Sequence, residues 1–180
     1  MKKLVASIFM SICIFSAQSQ ENEFNFKAAE GVVVWQKVFD NEKSQDEIVK
    51  QLINSGIFSD YVITEDGLTG NLRMFDPDYK AAGFTFMQTP YLIKGYHHSG
   101  YVSVNFKENR FRVTVNRFTL TKQYDDALGK QGEIDYIETY AFNNQNELSK
   151  TFFKYIAPVY DYSLTKMFTP LQLSAEEDNW

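Results

Sequence analysis

The residues with the widest chemical repertoire in this chain are two adjacent histidines, His97 and His98, in the run Gly95-Tyr96-His97-His98-Ser99-Gly100. An imidazole can ligate a metal or act as a general base near neutral pH. In an extended run, however, successive side chains point to opposite faces, so the two rings cannot share an ion. A zinc site wants three or four protein ligands, and the spacing places no third one. We read the pair as part of an exposed loop.

The carboxylates come next. Asp76-Pro77-Asp78 and Glu65-Asp66 lack the repeated oxygen spacing and the closing glutamate of a calcium-binding EF-hand loop; both read as turns. Asp125, Asp126, Glu133, Asp135 and Glu138 supply candidates for a glycosidase-like acid pair. That chemistry depends on a defined separation in space, which sequence spacing does not provide. Gly-x-Ser-x-Gly, a phosphate-binding loop and His-Glu-x-x-His are all absent. No catalytic residue, no metal ligand and no cofactor is therefore assigned.

The third feature is RFRVTVNR, Arg110 to Arg117. Arginine alternates with apolar residues at the period of a strand, so Arg112 and Thr114 share the face opposite Phe111, Val113 and Val115. Pairing Phe106 with Phe111, Val104 with Val113 and Val102 with Val115 makes one face of a hairpin wholly apolar. A slip of one residue would oppose Val104 to Arg112. The other face then presents Tyr101, Asn105, Arg112 and Thr114. Solvated side chains on a half-exposed sheet account for these four. A sharper reading makes them a shallow platform, with Arg112 forking onto a carboxylate or sugar acid and Tyr101 stacking on a ring. They are the candidate ligand-binding residues.

The elements that must hold this face follow from the pattern. Gly31 to Phe39 reads as a strand. Ser44 and Glu47 form a capping box for a helix over 45–55 that Gly56 stops. Tyr61–Thr64 and Leu68–Phe75 flank a tight turn at Asp66-Gly67. Phe84 and Phe86 mark a further extended segment, and 101–106 with 110–121 form the clearest hairpin. The alternation breaks at Asn116-Arg117, which predicts a bulge. Lys122 to Gly132 reads as a loop, and 133–142 is extended or irregular. A second helix over 147–157, capped by Asn146 or Asn144, ends or kinks at Pro158, with a helical continuation over 160–168.

The ends and the charge bound the setting. Lys2-Lys3, the apolar run Leu4 to Phe15 and Ala17-Gln18-Ser19 have the pattern of a secretory signal peptide over 1–19. The apolar run is shorter than the ~20 residues that span a bilayer, and none later approaches that length. The sole cysteine, Cys13, lies inside it, preceded by Ile12, which argues against a lipid anchor. Cleavage after Ser19 would leave no cysteine and a fold held by packing alone. It would also leave 16 basic residues, after loss of Lys2 and Lys3, against 23 acidic ones, a net of −7. A nucleic-acid binder would carry a basic footprint, so nucleic acid is not an expected partner. The expected organisation is a polar lead-in over 20–30, a single α+β domain over 31–168 and an acidic tail over 169–180.

In order and spacing, several motifs resemble the DUF4468 family, exported proteins of Bacteroidota-type bacteria described as having a TBP-like fold. They are VVWQKVF (Val33 to Phe39), SQDEIVKQL from Ser44, DGLTGNL (Asp66 to Leu72), YKAAGF (Tyr79 to Phe84), FKENRFRVTV (Phe106 to Val115) and the ending EEDNW. The resemblance implies an antiparallel sheet with helices packed on one face, in the order β-α-β-β-β-β-α. It implies no activity, and a fold name shared with a DNA-binding protein does not transfer function. The expectation is an exported, periplasmic or cell-surface module without enzymatic activity, its partner an envelope protein or a small anionic or glycan ligand. The alternative is a small hydrolase acting on glycans or other envelope substrates. An enzyme needs a concave pocket joining at least two ionisable residues with a plausible reacting position, whereas a binding module shows a broad polar sheet face or an exposed apolar patch.

Overall fold

A hairpin in which valine and arginine alternate sits at the centre of the fold. The computed structural model describes residues 23–169. Its elements in chain order are β1 (Phe26–Ala29), β2 (Val32–Asp40), α1 (Gln45–Asn54), β3 (Phe58–Thr64), β4 (Gly67–Leu72), α2 (Tyr91–Lys94), β5 (Tyr96–Lys107), β6 (Arg110–Lys122), β7 (Ile134–Tyr136), α3 (Glu138–Ala141), α4 (Lys150–Tyr155) and α5 (Ala157–Phe168). The expected signal peptide, its cleavage site, Cys13 and the acidic end of the tail lie outside the described residues.

All pairings are antiparallel, in the order β1-β2-β6-β5-β4-β3, with β7 added to the late part of β6. The β5–β6 register places Val104 opposite Val113, Val102 opposite Val115 and Phe106 opposite Phe111, as the alternation requires. One sheet face is therefore a continuous apolar layer. The helices cover only that inner face. Trp35 lies 6.2 Å from Phe168 of α5, Phe26 meets Phe152 of α4 edge-on at 5.2 Å, and Phe118 meets Tyr160 at 5.4 Å. Ile48, Val49 and Leu52 of α1 are buried. The architecture is α+β with an antiparallel sheet and helices on one face.

Local chemistry sets the element ends. Ser44 and Glu47 complete the capping box, with the Ser44 N–H donating to Glu47 Oε2 at 2.9 Å. Beyond α1, Gly56 takes φ +70°, a conformation open to glycine and strained for other residues. Part-buried polar groups tie the layers together. Trp35 Nε1–H donates to Asp161 Oδ1 at 2.8 Å, and Asn25 Nδ2 reaches the same oxygen at 2.7 Å.

Several expectations are corrected. Residues 26–29, placed in the polar lead-in, form β1, because Phe26 sits opposite Trp35 and is buried against α4 and α5. Phe84 and Phe86 lie in no strand. That segment is a run of turns in which Thr85 and Gln88 bond each other, and Phe86 is exposed. The second helix starts later than expected and is capped by Ser149, whose hydroxyl accepts from the Phe152 N–H at 3.1 Å. Neither expected cap, Asn146 or Asn144, serves: Asn146 takes φ +59° in a turn closed by Asn143 Oδ1. The region 133–142 resolves into β7 and α3.

The histidine pair is not in a loop. Both residues belong to β5 and point to opposite faces. His98 is fully buried, its Nδ1 2.5 Å from the Tyr160 hydroxyl. His97 is partly exposed, 2.7 Å from Asp76. Among the described residues no cluster of three or more His, Cys, Asp or Glu is arranged to hold a metal. No described helix is long and apolar enough to cross a membrane.

Candidate functional site

Among the described residues no helix packs across the outer face of the sheet, where α3 contributes only Glu138 at one margin, and the strand parity decides what the face presents. Gln36, Thr114, Ser103 and Thr69 run across its middle in register, and Lys27, paired with Val34, lies diagonally beside Gln36. Lys27 Nζ donates to Gln36 Oε1 at 3.0 Å, and Gln36 Nε2 donates to Thr114 Oγ1 at 3.0 Å. Residues at i and i+2 share a face, so the four expected residues Tyr101, Asn105, Arg112 and Thr114 all lie on it. They do not form one pocket. Asn105 and Arg112 are cross-strand partners at one end, in a depression of about 270 Å³ with Val38 and Arg110. Tyr101 lies four residues from Asn105, roughly 13 Å along the strand. Thr114, bonded to Gln36, sits between the two ends.

The larger concavity is at the Tyr101 end. A groove of about 850 Å³ crosses the face there, lined among others by Asp60, Asn71, Arg73, Tyr101, Arg117 and Glu138. A bulge produces it. Ser99 pairs with Thr119 and Tyr101 with Asn116, so Arg117 and Phe118 together oppose the single residue Gly100. A bulge increases local twist and bends its strand. The first bulge residue, Arg117, has φ +51°, a left-handed conformation that glycine adopts freely and other residues adopt at a cost. The result re-aims its side chain, and the guanidinium lies 5.9 Å from the centre of the Tyr101 ring. Among the described residues, neither Arg117 nor Arg73 forms a salt bridge.

The two carboxylates of the groove are already committed. Asp60 accepts from Asn71 Nδ2 at 3.0 and 3.2 Å and from the Ser59 hydroxyl at 3.2 Å. Glu138 Oε1 accepts from the Val33 N–H at 3.0 Å, closing the gap where β2 and β6 part. Asp60, Asn71, Tyr101 and Asn116 are in register across four strands, and Glu138 lies beyond the last of them. Its carboxylate is thus three or more strand spacings from Asp60, on the order of 14 Å. Paired carboxylates that hydrolyse glycosides stand about 5–9.5 Å apart.

The other acidic candidates are structural in their contacts. Asp126 bonds Lys122 Nζ at 2.8 Å and accepts from the Tyr91 hydroxyl, and these two donors, Lys122 first, hold its carboxyl down at about 2. Asp125 accepts from the Gln131 N–H, and Asp135 from Thr139 and the Tyr140 hydroxyl. Lys122, expected in a loop, is the last residue of β6, buried beneath the rings of Tyr91 and Tyr96. Asp78 accepts from the Ala81 N–H and closes a turn.

Sequence reasoning thus found the face and missed the groove. Arg117 had a signal, the break in alternation at Asn116-Arg117, which marked the bulge but not the direction of its side chain. Arg73 and Asn71 had none, since their place depends on the β4–β5 register.

No protein-family model matches the chain, and no curated protein matches it either. Two solved structures are similar to it. One is the crystal structure of a DUF4468 family protein from Bacteroides ovatus ATCC 8483, 14% identical with a TM-score of 0.39, covering 79% of this chain and 82% of that one. The other is the crystal structure of a TBP-like protein from Parabacteroides distasonis ATCC 8503, 12% identical with a TM-score of 0.41, covering 78% of this chain and 86% of that one. Their names are the family and the fold that the sequence motifs resemble. Neither name states an activity.

Proposed function

We propose that this chain is an exported, non-enzymatic binding module that holds a carboxylate-bearing ring, of the sugar-acid type, in the groove on its uncovered sheet face. The observation that carries the reading is Arg117. A non-glycine residue held in the left-handed region costs on the order of 1 kcal/mol, and such strain collects at binding sites. Here it sets a guanidinium that has no salt bridge among the described residues beside the Tyr101 ring. A guanidinium can fork onto a carboxylate and a tyrosine face can stack on a ring. Arg73 supplies a second cation from the neighbouring strand end. An envelope glycan or an envelope protein bearing such a group would be met in the periplasm or at the cell surface.

Arg117→Gly tests this reading, because it separates stability from function. Glycine accepts the bulge conformation without strain, so the variant should melt no lower than the native protein and gain up to about 1 kcal/mol. Calorimetric titration with D-glucuronate should show binding to the native protein and at least a tenfold loss in the variant, with D-glucose bound by neither. Equal binding by both proteins, or by neither, contradicts the proposal. The export clause has its own test. N-terminal sequencing of the protein produced by its host should begin at Gln20 or within a few residues, and a retained Met1 contradicts it.

A further inference from the structure

The strand order leaves β3 at the sheet edge, with β4 on one side and no strand on the other among the described residues. Ser59 to Thr64 make no further backbone hydrogen bonds to described residues on that free side. Edge strands are ordinarily protected by lysine, proline, a mid-strand bulge or a covering loop. The sequence of β3, FSDYVIT, contains neither Lys, Arg nor Pro, and its one irregularity lies at the start, between Phe58 and Asp60. Its centre is apolar and open: Tyr61 is 45% exposed, Val62 63% and Ile63 56%. Its single charge, Asp60, is bound to Asn71.

We propose that β3 pairs antiparallel with β3 of a second copy of this chain, in a register centred on Val62. The strand is self-complementary only there. Centred on Val62, each Tyr61 lies opposite an Ile63 on the inner face, an aromatic against a β-branched side chain, the kind of cross-strand pair that stabilises sheets. On the outer face Val62 meets Val62, and each Asp60 lies opposite a Thr64 hydroxyl that can donate to it. Shifting by two residues one way opposes Asp60 to Val62, and shifting the other way opposes Asp60 to Asp66. Face parity forbids a shift by one. The two-fold axis of this pairing stands perpendicular to the sheet, so both outer faces look the same way. Ser59 and Asp60 line the groove as well as belonging to the edge, and the dimer would therefore carry two grooves flanking one seam. The inference needs only the free edge, and it stands whether or not the groove binds a sugar acid.

A single-strand contact buries little area, and interfaces of that size are weak and transient. Sedimentation equilibrium of the purified protein, raised to about 1 mM, should show a concentration-dependent monomer–dimer equilibrium. Val62→Lys sets like charges directly opposite each other. It should leave the chain monomeric over the same range with its melting temperature unchanged, as Val62 is largely exposed. An equimolar mixture of Val62→Lys and Val62→Glu should pair again, which misfolding would not produce. A native protein monomeric throughout, a Val62→Lys variant that dimerises as the native chain does, or a charge-swapped mixture that stays monomeric would each overturn the proposal.

Discussion

Val113→Ser should destabilise the protein by on the order of 3 kcal/mol, while Arg112→Ser, one residue earlier, changes stability by less than about 0.5 kcal/mol. Val113 has no exposed surface and sits mid-sheet, between Val104 of β5 and Lys37 of β2. Serine there removes apolar volume from a packed layer and leaves a hydroxyl without a partner. Arg112 is exposed on the outer face and forms no salt bridge among the described residues. Thermal melts of the two variants check the pair. A large loss at Arg112 with none at Val113 would mean that the sheet face is inverted, with the platform residues in the core.

Acid should weaken the fold through His98. Burial pushes its imidazole down from 6.5 to about 4, and the nearby Ile93 carbonyl opposes this without making a good hydrogen bond to Nε2. Between those two values the unfolded chain binds a proton that the folded chain does not. Stability therefore rises with pH across that window; it is fully present above about 6.5 and is lost as the pH falls toward 4. A depression of this size corresponds to on the order of 3 kcal/mol. Urea melts from pH 7 to pH 4.5 should show the fall in the native protein and a much flatter profile in His98→Gln, which is less stable throughout. His97, paired with Asp76, is present in both proteins, so the difference between the profiles isolates His98. Parallel profiles would contradict the burial account.

These two predictions mark where sequence was readable and where it was not. The β5–β6 register could be read because five inward residues, Val102, Val104, Phe111, Val113 and Val115, admit a single apolar face. The cap of α1 could be read because Ser44 and Glu47 satisfy each other three residues apart. Both are local or nearly local patterns. His98 was misread because its partner, Tyr160, is 62 residues away on α5, and nothing near His98 signals an aromatic helix above it. Strand β1 was missed for the same reason: FKAA has little strand propensity of its own and is ordered by Phe26 packing into the core.

The candidate site divides along the same line. Parity alone put Tyr101, Asn105, Arg112 and Thr114 on one face, and they share it. Parity gives no curvature, so it did not separate Tyr101 in the groove from Asn105 and Arg112 some 13 Å away along the strand. Nor did it show that the bulge turns Arg117, rather than Arg112, over the tyrosine ring. Sheet bending arises from the bulge geometry and the joint register of three strands, and no short stretch encodes it.

The proposed groove is tested most directly by following backbone amide shifts in a 15N-labelled sample as D-glucuronate is added. Concentration-dependent shifts should be confined to the Tyr101 end of the outer face, at Asn71, Tyr101, Arg117 and Thr119, with D-glucose producing none. Shifts that map to the helical side, or no shifts at millimolar acid, would contradict the proposed binding.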